Sequence, residues 1–153
     1  MKNKKLLTEQ LAKRVKTFVT SSLNEEFQKD VYNAIMEYRI VQKDYDTELT
    51  DDDLNRARFQ ILYDKWFDET YILSNTELIL THPAFREIVA MGEPAVKYIL
   101  EKLEERPSFI MYALPEILGY SITNWKEDNK ILSLDEQCKK WKTHLKKLAY
   151  EPV

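Results

Sequence analysis

Glycine and cysteine are nearly absent from this 153-residue chain, which has two glycines and one cysteine. With so few glycines and only five prolines, the chain has little material for hairpin turns or unfolded linkers, which favours helices. The lone cysteine, Cys138, excludes an internal disulfide and any zinc site built from cysteines. The longest apolar run, Phe109 to Leu114, is far shorter than the roughly 20 residues that span a bilayer, so we expect no membrane partner.

The composition that remains is that of a folded protein, with 44% hydrophobic and 32% charged residues. A chain of this length can bury one sizeable core, so we expect a single domain over 1–153. The net charge of −3 gives no overall attraction to nucleic acid. Polar residues return at Glu9 and Gln10 before a secretory apolar core could form, which predicts a cytoplasmic protein.

Apolar residues recur at steps of three and four along most of the chain, the spacing of amphipathic helices. This pattern predicts a basic helix over 5–21, a second helix capped by Asn24, and a third over about 51–72. Thr50 and Asp53 resemble a capping box at the start of the third helix. A last helix begins near Leu134, after a polar connection.

In the centre of the chain, residues 82–119, glycines and prolines mark the ends and starts of predicted helices, and the connections between these helices are very short. Gly92 and Gly119 stand where helices can end, and Pro83, Pro94 and Pro107 stand near helix starts. The short connection at 92–94 predicts a corner or antiparallel hairpin, the unit of helical repeats. Pro115 should kink the helix over 109–118 and free the carbonyl of Met111. The predicted common core of this region comprises Phe85, Ile88, Val96, Ile99, Leu100, Leu103, Leu114 and Ile117.

These patterns together predict an all-α fold of six to eight helices. The segment 1–48 forms an N-terminal helical hairpin extension, and 50–149 forms a helical core that is HEAT-like in its centre. No clean repeat period extends beyond one or two degenerate units.

Residues that could carry chemistry are few, and each has a structural interpretation. His82 could be a general base or a ligand, but its place before Pro83 is typical of an N-cap. His144 has no partner at metal-ligand spacing, and Cys138 lies on an apolar stripe, where burial would raise its thiol pKa. The acidic stretch 44–53 begins like a calcium loop, but Leu49 and Asn55 occupy the positions of the required glycine and glutamate. We therefore predict no catalytic residues, no metal site, no cofactor and no enzymatic activity.

The region from about 59 to 149 resembles a family of small, largely uncharacterised bacterial proteins. The resemblance rests on three linked patterns. They are Trp66 with Glu69-Thr70 and Leu73-Ser74; His82-Pro83-Ala84 with Ile88, Met91-Gly92 and Ala95; and Pro107 with Ala113-Leu114, Ile117 and Gly119. It implies a shared helical fold and a bacterial or phage origin, but no mechanism. The chain departs from the family around Phe109 to Tyr112, where members have an aromatic cluster, and at Pro115.

Two surfaces are candidates for function. Helical corners leave a concave face that can hold a protein partner, and aromatic side chains near it could serve as anchors. The candidate anchors are Trp66, Tyr71, Tyr98, Tyr112 and Trp125; alternatively, all five complete the core. The second candidate is a basic patch at Lys139, Lys142 and Lys146, which could hold nucleic acid or an acidic partner if it joined the basic first helix; alternatively, these are ordinary solvated lysines. We expect a protein-interaction or regulatory module, with a nucleic-acid-associated regulator as the alternative.

Overall fold

The computed structural model describes residues 4–42, 49–122, 126–127 and 130–150, with side chains over 9–37, 49–122 and 132–150. Within these residues the protein is all-α, with eight α-helices, two short 3₁₀ helices and one two-stranded ladder. The predicted fold class and number of helices are therefore confirmed. The chain divides into two compact units, Met1–Asp64 and Lys65–Val153. The boundary falls inside the third helix, whereas the sequence placed the end of the N-terminal extension at 48.

In the first unit, α1 (Lys4–Ser22) and α2 (Glu25–Gln42) pack against each other as the predicted helical hairpin. Glu25 and Glu26 occupy the first turn of α2, where negative charge suits the helix dipole. The two helices and the turn between them bury apolar residues, most of which recur at helical spacing. These are Val15, Val19, Leu23, Phe27, Val31, Ile35 and Met36.

The third helix, α3 (Asp51–Thr70), begins at the predicted capping box. The backbone N–H of Asp53 donates to Thr50 Oγ1 at 3.1 Å, and the N–H of Thr50 donates to Asp53 Oδ2 at 3.0 Å. One turn further on, the buried Arg58 donates from Nη1 to the carbonyl of Ser22 at 3.1 Å. Arg58 thereby joins α3 to the carboxyl end of α1, a role that the sequence did not indicate.

The second unit contains five shorter helices and a small ladder. Its helices are α4 (Thr76–Leu80), α5 (Pro83–Met91), α6 (Val96–Glu105), α7 (Ala113–Leu118) and α8 (Leu134–Lys147). Helix α5 packs on α7, and α6 packs on α8. Strands β1 (Lys126–Glu127) and β2 (Lys130–Ile131) pair antiparallel, with Lys126 opposite Ile131. This ladder lies where the sequence predicted only a polar connection.

Both glycines end helices, as predicted. Gly92 follows α5 with φ 72° and ψ −152°, and the 3₁₀ helix Glu93–Ala95 leads directly into α6. Gly119 follows α7 in the left-handed conformation, with φ 82° and ψ 10°. The positive φ at each position favours glycine because it has no Cβ. The tight corner predicted between α5 and α6 is therefore present.

Seven of the eight predicted core residues of the centre are buried, but Ile117 is only half-buried. The predicted continuous helix over 109–118 is a 3₁₀ helix, Phe109–Tyr112, followed by α7. Pro115 therefore falls in the first turn of α7, where a missing N–H is tolerated. The carbonyl of Met111 accepts a hydrogen bond from Ala113, so the prediction that it is left free is wrong.

Candidate functional site

Two of the five candidate aromatic anchors are buried, so for these two the anchor interpretation is corrected to the alternative, in which they complete the core. Trp66 is 3% exposed and Tyr98 is 2% exposed. Trp66 turns inward because its Nε1–H donates to the carbonyl of Ile79 at 2.9 Å and its ring contacts that of Phe85. Tyr98 lies on the buried face of α6. Trp125 lies outside the described residues.

Tyr71 is exposed, and it begins a short segment rich in exposed apolar side chains. In this segment Tyr71 is 66% exposed, Ile72 75%, Leu73 36% and Leu78 53%. Helix α3 was expected to continue to 72 but ends at Thr70, whose Oγ1–H donates to the carbonyl of Trp66 at 2.6 Å. The N–H of Tyr71 still donates to the carbonyl of Phe67 at 2.9 Å, whereas that of Leu73 donates to the carbonyl of Thr70, three positions back, so the helix gives way to a turn over 71–72. We call 71–78 the exposed apolar segment.

The exposed apolar segment borders a groove of about 290 Å³ in the second unit. The walls come from the end of α3, the connection to α4, the connection after α6 and the start of α8. We call it the Phe67 groove. It is lined by Trp66, Phe67, Thr70, Tyr71, Leu73, Ile79, Arg106, Pro107, Ser108, Phe109 and Leu134.

Stacked planar side chains form one wall of the Phe67 groove. The rings of Phe67 and Tyr71 stack with centroids 5.7 Å apart and planes 16° from parallel. The guanidinium carbon of Arg106 lies 4.5 Å from the Phe67 centroid, within cation–π range. Phe109, a second lining residue, stacks on the half-buried Tyr112 at 5.9 Å. Tyr112 contacts this lining residue but is not itself among the residues that line the groove.

The polar groups at the base of the groove already form hydrogen bonds within the protein. Ser108 caps the 3₁₀ helix by accepting the N–H of Ile110 at 3.2 Å, and its carbonyl accepts the thiol of Cys138 at 3.7 Å. Burial raises the pKa of the Cys138 thiol, as the sequence predicted. These bonds hold the base of the groove in a defined shape.

His82 acts as the N-cap of α5, which is the structural alternative given by the sequence. Its Nδ1 accepts the N–H of Ala84 at 3.0 Å, so the ring proton lies on Nε2, which faces Glu69 Oε1 at 3.3 Å. The ring nitrogen that a general base would use is therefore occupied by a backbone donor. Trp66, Thr70 and His82, all quoted for the family resemblance, thus have structural roles here.

The three lysines of the predicted basic patch all lie on α8, but two of them have acidic partners. Lys146 Nζ lies 2.6 Å from Glu104, and Lys139 Nζ lies 3.0 Å from Asp135. The hydrogen bond from Lys146 holds the pKa of Glu104 below its usual range, with Lys142 adding to the effect. Another face of α8 borders a hollow of about 380 Å³, lined by Ile122, Lys139, Lys140, Thr143, His144 and Lys147.

His144 is half-buried beside that hollow, whereas the sequence favoured a surface position. Its Nε2 lies 2.9 Å from the Tyr120 hydroxyl, and its ring meets that of Trp141 edge-on. Across the described ranges no group of three or more acidic, histidine or cysteine side chains could hold a metal ion. None of the helices described is long and apolar enough to cross a membrane.

The fold and this groove define an all-α protein with an exposed apolar site. No family model matches the chain, and neither a curated protein nor a solved structure does. The resemblance drawn from the sequence patterns, and the HEAT-like description of the centre, stay predictions.

Proposed function

We propose that the protein is a non-enzymatic protein-interaction or regulatory module of a bacterial or phage cytoplasm, and that the Phe67 groove is its binding surface. One observation carries the proposal. Of the six large hydrophobic side chains that are exposed in the described parts of the chain, four fall within the exposed apolar segment. Clustered exposure of this kind marks interaction surfaces more often than scattered apolar residues do.

The shape and composition of the groove support a protein partner. Its volume is slightly below the roughly 300–1,000 Å³ of small-molecule pockets, so it suits a few side chains of a larger partner. Rigid aromatic walls are common at the centres of protein interfaces, because they bury much area at little entropic cost. The hydroxyl groups at its base form hydrogen bonds within the protein. Because they are occupied in this way, the groove is better suited to binding than to proton transfer.

A selection from a library of random-sequence peptides tests the proposal. The immobilised protein should enrich peptides whose binding is lost, by about tenfold or more, in the double variant Tyr71→Ala, Leu73→Ala. Truncation of two anchors that each contribute about 1 kcal/mol would give a loss of this size. Leu148→Ala is the matched control, because Leu148 is also exposed but lies outside the groove. Selected peptides that bind the double variant as well as the natural protein would reject the groove.

The alternative function, a nucleic-acid-associated regulator, is supported by the lysine-lined hollow on α8. Charge reversal at Lys139, Lys140 and Lys147 should then abolish a gel shift that weakens steeply with salt. The same reversal at Lys142 and Lys146 should have a smaller effect, because neither of these lysines lines the hollow. If no shift occurs at low salt, this alternative is rejected.

A further inference from the structure

The Phe67 groove carries a single formal charge. Of the side chains that line it, only Arg106 is ionised at neutral pH, and none is acidic. Two of the three lining residues with hydroxyl groups, Thr70 and Ser108, form hydrogen bonds within the protein, Thr70 with the carbonyl of Trp66 and Ser108 with the N–H of Ile110. An apolar groove with one cation at its edge is complementary to an apolar ligand that carries a negative charge.

Arg106 differs from several cations of the second unit in having no carboxylate partner within the described ranges. Arg86 forms two bonds with Glu116, at 2.8 and 3.1 Å, and Lys146 pairs with Glu104 at 2.6 Å. Arg106 is exposed and contacts the ring of Phe67 instead. An arginine that stacks on a ring keeps the N–H groups along its edge available for a carboxylate.

We propose that the partner presents an acidic apolar segment, in which apolar side chains enter the Phe67 groove and one carboxylate pairs with Arg106. The carboxylate is that of an aspartate, a glutamate or a chain terminus. This inference rests on the proposed function and adds the chemistry of the partner. The exposed apolar segment supplies the contact area, and Arg106 fixes the orientation of the bound segment and excludes basic sequences.

The experiment uses the peptides selected on the full chain. We expect them to combine apolar residues with at least one acidic residue, and we expect Arg106→Glu to weaken their binding by about tenfold or more. Lys29→Glu is the charge-matched control and should leave the affinity unchanged, because Lys29 is exposed on α2 and lines neither the Phe67 groove nor the hollow on α8. Replacing the acidic residue of a peptide with lysine should weaken binding to the natural protein and restore binding to Arg106→Glu. That reciprocal rescue distinguishes direct pairing from a general loss of structure.

The possible failures are distinguishable. Peptides that lose binding in Tyr71→Ala, Leu73→Ala but bind Arg106→Glu as well as the natural protein overturn the acidic-segment inference and leave the proposed function standing. Peptides indifferent to all of these changes overturn both. A concentration-dependent dimer in sedimentation, abolished by Tyr71→Ala, Leu73→Ala, would show that a second copy of the chain occupies the groove and would also overturn the inference.

Discussion

Replacing Gly92 with alanine tests the corner that joins α5 to α6. Gly92 has φ 72° and ψ −152°, a combination that is almost exclusive to glycine. An added Cβ would meet no atom within 4 Å, so the cost is one of backbone conformation rather than of collision. Backbone strain of this kind costs about 1–3 kcal/mol. The lower entropy of the unfolded alanine chain offsets about 0.4–1 kcal/mol of this cost. We therefore expect a net loss of about 1–2 kcal/mol.

Gly119→Ala is the matched control, because its Cβ would also meet no atom within 4 Å. Gly119 has φ 82° and ψ 10°, the ordinary left-handed conformation, which alanine adopts at a cost of about 1–2 kcal/mol before the same entropic effect. We therefore expect Gly119→Ala to lose less stability than Gly92→Ala. Urea unfolding followed by circular dichroism measures both. If Gly92→Ala proved no more destabilising than Gly119→Ala, the backbone account of the corner would be refuted.

Three further predictions concern the second unit. Leu100→Ala should cost about 2–5 kcal/mol in urea unfolding, because Leu100 is fully buried, whereas Leu78→Ala should change stability by less than about 0.5 kcal/mol; equal effects would contradict the predicted core. Cys138 should react slowly with a thiol reagent until denaturant is added, because burial raises the pKa of its thiol; rapid labelling of the folded protein would contradict this. Hydrogen bonding to Glu93 raises the pKa of Tyr150 to about 12, so the stability from this bond should be present below about pH 10 and lost as the pH rises through 12. Tyr150→Phe should flatten that part of the pH profile, and an unchanged profile would exclude the bond.

The starts of α3 and α5 and the ends of α5 and α7 could be predicted from the sequence because they depend on local chemistry. His82 is a cap with a side-chain acceptor of the right length, and Thr50 with Asp53 forms a capping box. The glycine at each helix end has the positive φ expected there. These features involve residues within about four positions of one another, so one sequence is sufficient to find them.

The candidate site could not be predicted in the same way, because it depends on contacts between distant segments. Trp66 lies on a helix with a broad apolar face, and its contacts with Ile79 and Phe85, which come from later segments of the chain, accompany its inward position. The guanidinium group of Arg106 contacts the ring of Phe67, which lies 39 positions earlier in the sequence. The pairing of Lys146 with Glu104 likewise joins two helices. Hydrophobic periodicity does not contain this information.

The strands at 126–131 were missed for a different reason. Each strand is two residues long, which is too short for the alternation that identifies a strand. The exposed apolar segment had a weak signal, since an apolar run directly after a helix end is unusual. That signal was hidden by the prediction that α3 continued to 72.

The central claim is that the Phe67 groove, and not the lysine face of α8, binds the partner. Chemical-shift mapping tests it most directly, by recording amide and indole resonances of the labelled protein while a selected peptide is added. We predict that the largest changes fall on residues 66–73 and 106–109, including the indole N–H of Trp66 beneath the groove. Changes concentrated on residues 139–147, with the groove resonances unmoved, would contradict the account.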